Sequence, residues 1–345
     1  MKKNAALSLA LLMILALFSG CGQNMVEIHD PSDVVSTVPN DDYLSDEGVL
    51  DIAYLNEGDF IDIAPEMVPL ADAPAAFSIP VPAAPGTAAK KNEKAVIDYS
   101  NAKDGYFMAK YIPGGTKSIK VKVTGPSGAD YQYNLKTGDV YEVFPFSDGS
   151  GKYKIGMFEQ VDGSKYATVV TAEVDVKLGD EFAPFIRPNQ YVNYNKDSQT
   201  VKKAAELVKD KAKTIDKVSA VYNHVIKSLT YDKEKAATVK TGYLPDVDAV
   251  LKAGKGICFD YAAVMAAMLR SQNVPTKLVV GYTGEQYHAW LSVHSSEDGW
   301  VNSVIQFDGK SWKLMDPTYA STGNQSGDVM KFIGDGKNYT AKFLY

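Results

Sequence analysis

The sequence predicts an α+β protein of 345 residues, in which an all-β region precedes a region of helices and antiparallel strands. Apolar and polar residues alternate over most of residues 95–178, which is the period of a half-buried strand. Beyond Gly179 apolar residues recur three and four positions apart, which is the period of an amphipathic helix. A hydrophobic content of 45% with 11% aromatic residues is typical of a globular protein with a substantial core.

The first 21 residues have the layout of an export signal. Lys2 and Lys3 precede an apolar run, residues 5–18, and Ser19-Gly20 is a small-residue exit. The run is too short to favour a lasting transmembrane span. The ending Leu-Phe-Ser-Gly-Cys resembles the lipobox of bacterial lipoproteins, which implies a signal peptide of residues 1–20 and a lipid on Cys21. The chain would then be exported and anchored to the bacterial cell membrane, facing outside the cytoplasm. The alternative is an ordinary secretion signal with an incidental cysteine.

Charge is distributed unevenly along the chain. Residues 21–89 contain thirteen Asp or Glu and no Lys or Arg, whereas residues 90–345 have a net charge of +5. Residues 71–89 are rich in Pro and Ala, a composition that favours an extended backbone. We interpret residues 21–94 as a solvated tether between membrane and folded body. A body this weakly basic, without a basic cluster, indicates that nucleic acid is not a partner.

The β region is predicted to be a sandwich-like domain over residues 95–185. Short alternating segments, such as residues 118–124, are separated by turns rich in Gly, Asp and Ser. The region contains no His or Cys, which favours a structural or ligand-presenting role. Residues 186–345 form the second predicted domain.

The second domain is predicted to open with two amphipathic helices, over residues 197–212 and 214–229. A glycine turn, Gly254-Lys255-Gly256, then leads into a helix that begins near Cys258 and is apolar on most sides, so we expect it to be buried. If Cys21 carries lipid, Cys258 is the sole free thiol of the chain. An unpaired thiol in an oxidising compartment is a liability unless it is buried or used.

The position of Cys258 favours reactivity, because the N-terminus of a helix stabilises a thiolate. Acyl transfer by a thiolate also needs an imidazole and a group that orients it. His288, at the start of HAWLSV, and Asp316, at a strand end before Pro317, supply these residue types. No His-x-His or Cys-x-x-Cys spacing indicates a metal site, so no metal is expected.

Three blocks within residues 200–320 resemble the transglutaminase-like superfamily of papain-like thiol enzymes. GKGICFDYAAVMAAMLRSQNVPTKLVVGY resembles its cysteine block, YHAWLSV its histidine block and WKLMDPTYA its aspartate block. The resemblance implies a papain-like core of helices packed on an antiparallel sheet. It implies Cys258 as nucleophile, His288 as general base and acid, and Asp316 as the acceptor that orients His288. It further implies that Trp290 packs behind the histidine and that Tyr261 helps to seat the nucleophile helix.

The resemblance leaves the second oxyanion donor open. The larger transglutaminases use an upstream aromatic side chain, and the candidates here are Tyr222, Asn223 and Tyr231. No calcium-binding type of loop occurs, and no cofactor is expected.

The expected function is that of a surface-anchored, monomeric thiol enzyme that acts on amide bonds, in a Gln side chain or a peptide, through a Cys thioester. The thioester would be resolved by hydrolysis or amine transfer, and the substrate would be a protein or peptide at the cell surface or wall. The alternative is a non-catalytic binding or structural module on the same fold.

Overall fold

A computed structural model describes residues 25–27, 78–240, 242–284, 286–295, 299–302, 305–307, 312–314, 317–322 and 339–345. No helix in this described part of the chain is long and apolar enough to cross a membrane. The predicted signal peptide and Cys21 lie outside the described residues.

The N-terminal region consists of antiparallel strands in two sheets. Its strands are β1 (Met25–Glu27), β2 (Ala89–Lys91), β3 (Ala95–Asp98), β4 (Tyr106–Tyr111), β5 (Ile119–Thr124), β6 (Asp130–Leu135), β7 (Glu142–Pro145), β8 (Gly151–Asp162) and β9 (Lys165–Val176). One sheet has the order β1-β9-β8-β5-β6, and the other has the order β2-β3-β4-β7. The apolar face predicted for β5 is confirmed, because Ile119, Val121 and Val123 are all buried, whereas Lys120 on the other face is buried as well.

Aromatic rings join the two sheets face to face. Tyr133 of β6 contacts Phe144 of β7 with 4.9 Å between ring centroids, and Phe146 contacts Tyr153 of β8 at 4.7 Å. Edge-to-face contacts of this kind add to the stabilisation that ring burial provides. The sandwich-like packing predicted for this region therefore rests on an aromatic core.

The predicted boundary between tether and β region does not coincide with the edge of the sheets. β2 precedes residue 95 and pairs with β3, with Ala89 opposite Asp98. β1 lies still further upstream and pairs with β9, with Met25 opposite Ala167. Composition could not reveal this pairing, because a strand of three residues is recognised by its partner in the sheet and not by its own sequence.

The C-terminal region combines helices with short antiparallel sheets. Its helices are α1 (Gln199–Val208), α2 (Thr214–Ser228), α3 (Lys233–Thr238), α4 (Val247–Ala253), α5 (Cys258–Arg270) and α6 (Pro317–Thr322). Its strands are β10 (Thr230–Tyr231), β11 (Lys255–Gly256), β12 (Thr276–Thr283), β13 (Gln286–Ser295), β14 (Gly299–Asn302), β15 (Ile305–Phe307), β16 (Trp312–Leu314) and β17 (Tyr339–Leu344). The largest sheet here has the order β14-β13-β12-β17.

Helix α5 is the centre of this region. All its residues except Phe259 are buried, as its apolar sequence predicts. Helices α1, α2, α4 and α6 contact it, and strands β12 and β13 pack against it. Its small alanines permit this close approach of neighbours on every side, and the result is the papain-like arrangement of helices on an antiparallel sheet.

Arg270 ties the end of α5 to three other segments. Its fully buried guanidinium donates to the carbonyl oxygens of Thr276 at 2.8 Å and Arg187 at 2.9 Å, and to the main-chain oxygen of Tyr345. Burial lowers the pKa of Arg270 to about 10, which leaves the group charged at neutral pH. The segment that joins the two regions and the last strand are thus held to one helix end.

The two regions share one hydrophobic core. The Tyr345 ring contacts Tyr191 with 4.2 Å between centroids, and it contacts Tyr131 and Tyr133 of β6 at 5.8 Å each. The core is continuous from the β sheets to α5. The β region is therefore packed directly beside the helix that begins at Cys258.

Candidate active site

Cys258 is the first residue of α5, where the sequence places it. Helix α4 ends at Gly254, whose φ of 67° is the left-handed conformation that glycine adopts without strain. The chain then makes the short strand β11 and enters α5. The side chain of Cys258 is buried and forms no disulfide. A helix of this length directs the positive end of its dipole at the thiol.

A buried carboxylate, Asp260, holds the first turn of α5. It is fully buried and accepts hydrogen bonds from the Ile257 N–H at 2.8 Å, the Tyr243 hydroxyl at 2.5 Å and Lys235 Nζ at 2.6 Å. Gly256 leaves room for it, since a Cβ there would lie 2.6 Å from the Asp260 Cβ. Asp260 therefore fixes the backbone on both sides of Cys258.

The tyrosine of this cluster stays protonated at neutral pH. Burial raises the pKa of Tyr243, and its hydrogen bond to Asp260 raises the pKa further. Lys235 also lies 4.1 Å from the centroid of the Tyr243 ring. Sequence reasoning missed this cluster. The one local signal is an Asp at the third position of a helix, where a carboxylate can reach back to the residue before the helix.

His288 lies on β13, the strand that packs against α5. It is 6% exposed, and the Trp290 ring lies nearly parallel to it at 6.2 Å between centroids, as the family resemblance implies. Tyr339 of β17 contacts both rings, at 6.4 Å and 5.2 Å. Gly281 is the residue opposite His288 on β12, and a Cβ there would overlap the Thr340 carbonyl oxygen and approach Trp290.

Cys258 and His288 line one cavity of about 120 Å³. The wall on their side also includes Ile257 and Ala289. The other wall comes from the β region, the segment that follows it and residues 239–240 and 242–244 between α3 and α4. Its polar side chains are Lys120, Gln132, Tyr133, Asn134, Gln190, Tyr191, Lys240 and Tyr243.

Asp316 lies outside the described residues, so its position relative to His288 stays a prediction. Helix α6 begins at the next residue, Pro317, and packs against α2 and α5. Its Ser321 hydroxyl donates to the Tyr261 hydroxyl of α5 at 2.9 Å. Tyr261, fully buried, therefore connects α6 to the nucleophile helix, in agreement with the seating role that the resemblance implies.

None of the three candidate oxyanion donors is among the described residues that line the cavity. Tyr222 is buried in the core on α2, and Asn223 on the same helix is exposed and donates to the Ser219 hydroxyl at 3.2 Å. Tyr231 lies on β10, paired with Gly256 on β11. The sequence does not reveal which aromatic residues surround a cavity. Tyr222 lies on the buried face of α2, which packs into the core.

Comparisons with known proteins match parts of this chain. Residues 201–303 match the model of the transglutaminase-like superfamily, and this range includes Cys258 and His288. An uncharacterised protein of Bacillus subtilis (strain 168), YebA, is 30% identical over 118 residues. That stretch is 28% of this chain and 16% of YebA, so the match spans a small part of the relative.

Two solved structures are similar over larger shares of the chain. One is a candidate cysteine protease from Cytophaga hutchinsonii, 14% identical with a TM-score of 0.35, covering 75% of this chain and 74% of that one. The other is a candidate protease from Parabacteroides distasonis, 12% identical with a TM-score of 0.28, covering 61% and 62%. Residues 201–303 thus match the transglutaminase-like superfamily, and the observed arrangement of helices on an antiparallel sheet is the one that the resemblance implies.

Proposed function

We propose that the protein is a surface-anchored thiol enzyme that acts on amide bonds, in a Gln side chain or a peptide, through a Cys258 thioester. The observation that carries this proposal is that Cys258, at the N-terminus of α5, and His288, on the strand packed against α5, line the same cavity. A nucleophile and a base that share a small, partly closed site are the minimum that acyl transfer requires.

The first half-reaction forms the thioester. His288 takes the thiol proton, and Cys258 Sγ attacks the carbonyl carbon of the substrate amide. The backbone N–H of Cys258, unpaired within the first turn of α5, donates to the developing oxyanion. His288 then gives its proton to the leaving nitrogen, the C–N bond breaks and the amine departs.

The second half-reaction releases the acyl group. Water or an amine attacks the thioester carbon while His288 takes its proton, and the C–S bond breaks with return of the proton to the thiolate. Attack by water gives a carboxylic acid, and attack by an amine gives a new amide. The protection of the thioester from water decides between the two.

Asp316 is the proposed acceptor that orients His288, with Trp290 supporting the imidazole from its other side. Asp260 is a positioning residue, since it holds the turn that presents Cys258 and has no contact with the reacting atoms. Asp316 would thus orient the base, His288, and Asp260 would position the nucleophile, Cys258.

The proposed location is outside the cytoplasm, on a lipid at Cys21. The support for it is the pattern of residues 1–21 and the acidic and Pro/Ala-rich composition that follows. A tether of this kind would let a monomeric enzyme reach protein or peptide substrates at the cell surface or wall.

The proposal is tested by the reactivity of Cys258 towards iodoacetamide between pH 4 and pH 9, followed by mass spectrometry of the Cys258 peptide. We expect iodoacetamide to label Cys258 at mildly acidic pH faster than it labels a free thiol. In His288→Ala the labelling should slow, because the imidazole that takes the thiol proton is gone.

Release of ammonia or amine from Gln-bearing and peptide amides is the second readout. Turnover that is lost in Cys258→Ala and in His288→Ala would support the enzyme. An ordinary or unreactive thiol in both proteins, with no turnover, would contradict the proposal and would favour a binding module on the same fold.

A further inference from the structure

A second cavity, of about 670 Å³, adjoins the candidate active site at the seam between the β region and the helices. This seam cavity is lined by residues of β4, of β7 and the connection before it, of the segment 188–198 and of the segment 244–248, which runs into α4. Gln190 and Leu244 line both cavities. These two residues therefore form the border between the seam cavity and the cavity of Cys258 and His288.

The two cavities differ in how much of a substrate they can hold. The cavity of Cys258 and His288, at about 120 Å³, is smaller than the roughly 300–1,000 Å³ of a typical ligand site. The seam cavity lies within that range, and a boundary between two packed regions is a common place for a binding site. The small cavity has room for little more than the amide under attack, so the rest of a larger substrate needs space next to it.

The charged residues that line the seam cavity are all paired within the protein. Glu142 accepts a hydrogen bond from the Lys136 N–H at 2.8 Å and lies 3.6 Å from Lys136 Nζ. Asp246 and Asp248 accept hydrogen bonds from backbone N–H groups in the first turns of α4 and α1. Three carboxylates and one ammonium leave an excess of negative charge, which disfavours an anionic ligand. An uncharged or basic ligand is favoured.

Two consecutive amide side chains at the border have unused hydrogen-bonding groups. Asn189 Oδ1 accepts from the N–H groups of Tyr191 and Val192 at 3.0 and 2.9 Å, and Gln190 Nε2 donates to the Asn134 carbonyl oxygen at 2.6 Å. The other ends of these amides, Asn189 Nδ2 and Gln190 Oε1, are buried without a hydrogen-bond partner. One is a donor and the other an acceptor, and a peptide group carries the complementary pair. A peptide chain is therefore the ligand whose chemistry matches this border.

We propose that the seam cavity binds the peptide chain on one side of the amide that Cys258 attacks. This inference rests on the proposed function and names its substrate class, a polypeptide whose sequence next to the reactive amide is uncharged or basic. A free amino acid or a small amide would fill the catalytic cavity alone and would bind weakly. The β region, which supplies part of the seam cavity, then has a role in holding the substrate.

Protection of Cys258 by peptides of different length tests this inference without any substitution. Initial rates of iodoacetamide labelling are measured in the full-length protein by mass spectrometry of the Cys258 peptide, which separates it from Cys21. The short probe is acetyl-Gln amide. The long probes are acetyl-Gln-Ala-Thr-Ser-Ala amide and acetyl-Ala-Ser-Thr-Ala-Gln amide, which extend the chain on opposite sides of the Gln. We expect one long probe to halve the labelling rate at a concentration roughly tenfold lower than acetyl-Gln amide, because it adds contacts in the seam cavity.

Val140→Trp tests whether the added contacts lie in the seam cavity. Val140 is 49% exposed and lines the seam cavity, but it does not line the cavity of Cys258. The larger ring takes up room that the chain needs, so the advantage of the long probe over acetyl-Gln amide should fall about fivefold. Val161→Trp is the matched control, because Val161 is a 55% exposed valine of the same region and lines neither cavity. Its ratio should equal that of the unsubstituted protein.

The outcomes separate the inference from the proposed function. Equal protection by all three probes, or by none, overturns the inference and leaves a reactive Cys258 in place. A change in Val140→Trp no larger than that in Val161→Trp overturns it as well. Replacing Ser and Thr of the better long probe by Glu should weaken protection, and undiminished protection would contradict the stated substrate class. Labelling of Cys258 no faster than that of a free thiol contradicts the proposed function itself, and the inference with it.

Discussion

The two walls of the cavity differ in how tightly their polar groups are held. Behind the wall of Cys258, the carboxylate of Asp260 is fully buried and accepts three hydrogen bonds, and His288 is packed against Trp290. On the wall from the β region, Gln190 keeps one amide atom, Oε1, buried without a hydrogen-bond partner. The buried carboxylate behind the first wall thus has all its hydrogen bonds within the protein, whereas the second wall has a buried amide oxygen that accepts none. The proposed chemistry thus uses the region of the core whose polar groups are held by more hydrogen bonds.

The largest expected effect comes from breaking the first wall at its reactive groups. Cys258→Ala removes the nucleophile and should abolish turnover of peptide amides. His288→Ala should lower kcat/KM by roughly 10²–10⁴-fold, because it removes proton transfer to and from the reacting atoms. Initial rates of ammonia or amine release measure both changes.

Because both side chains are buried, the control for these substitutions is to check that each variant is still folded. Urea unfolding midpoints should stay close to that of the unsubstituted protein. Retained turnover in either variant would show that the residue has no part in the chemistry.

The next effect concerns the support of that wall. Asp260→Asn should lower the free energy of unfolding by about 2–4 kcal/mol, because it leaves Lys235 without its carboxylate and disturbs the bonds to Ile257 and Tyr243. Urea titration measures the change. The thiol of Cys258 should also become less reactive, as the turn that presents it loosens.

Asp197→Asn is the matched control for Asp260→Asn. Asp197 pairs with Lys196 at 2.9 Å on the surface, where the two side chains are 74% and 75% exposed. Loss of an ion pair of this kind should cost less than about 1 kcal/mol. Equal destabilisation by the two substitutions would mean that the Asp260 cluster holds the turn no better than a surface pair.

The smallest effect lies in the β region and depends on pH. Burial of Glu159 tends to raise its pKa, but hydrogen bonds from Lys117, Lys94 and Tyr111 outweigh burial and lower the pKa to about 2. A carboxyl with a lowered pKa stabilises the fold above its unfolded pKa of 4.5, and this stabilisation is lost as pH falls from there towards 2.

Glu159→Gln should therefore lower the free energy of unfolding by about 1 kcal/mol at pH 7. The effect is this small because the side chains of Lys94 and Lys117 are more than half exposed, so that solvent weakens both ion pairs. The difference should shrink below pH 4.5 and vanish near pH 2. Thermal unfolding across this range measures it. A difference that is constant with pH would mean that charge has no part in the contribution of Glu159.

Local sequence patterns predicted the elements that hold the residues of the proposed chemistry. The glycine turn and the apolar run after it predicted a buried helix beginning at Cys258, and α5 begins at that residue. The period of two predicted the buried face of β5, and the histidine block predicted the packing of Trp290 beside His288. These features depend on spacing within a few residues, which a sequence displays directly.

The sequence by itself thus determined the order of β and α elements and the residue types suited to acyl transfer. The tertiary structure alone decided that Asp260 is joined to Lys235 and Tyr243, which are 25 and 17 residues away along the chain. It also decided that Lys120 is buried in the cavity wall while Lys122 remains partly exposed. Both outcomes depend on which distant segments cover a given side chain, and burial by distant segments leaves no periodic trace in the sequence.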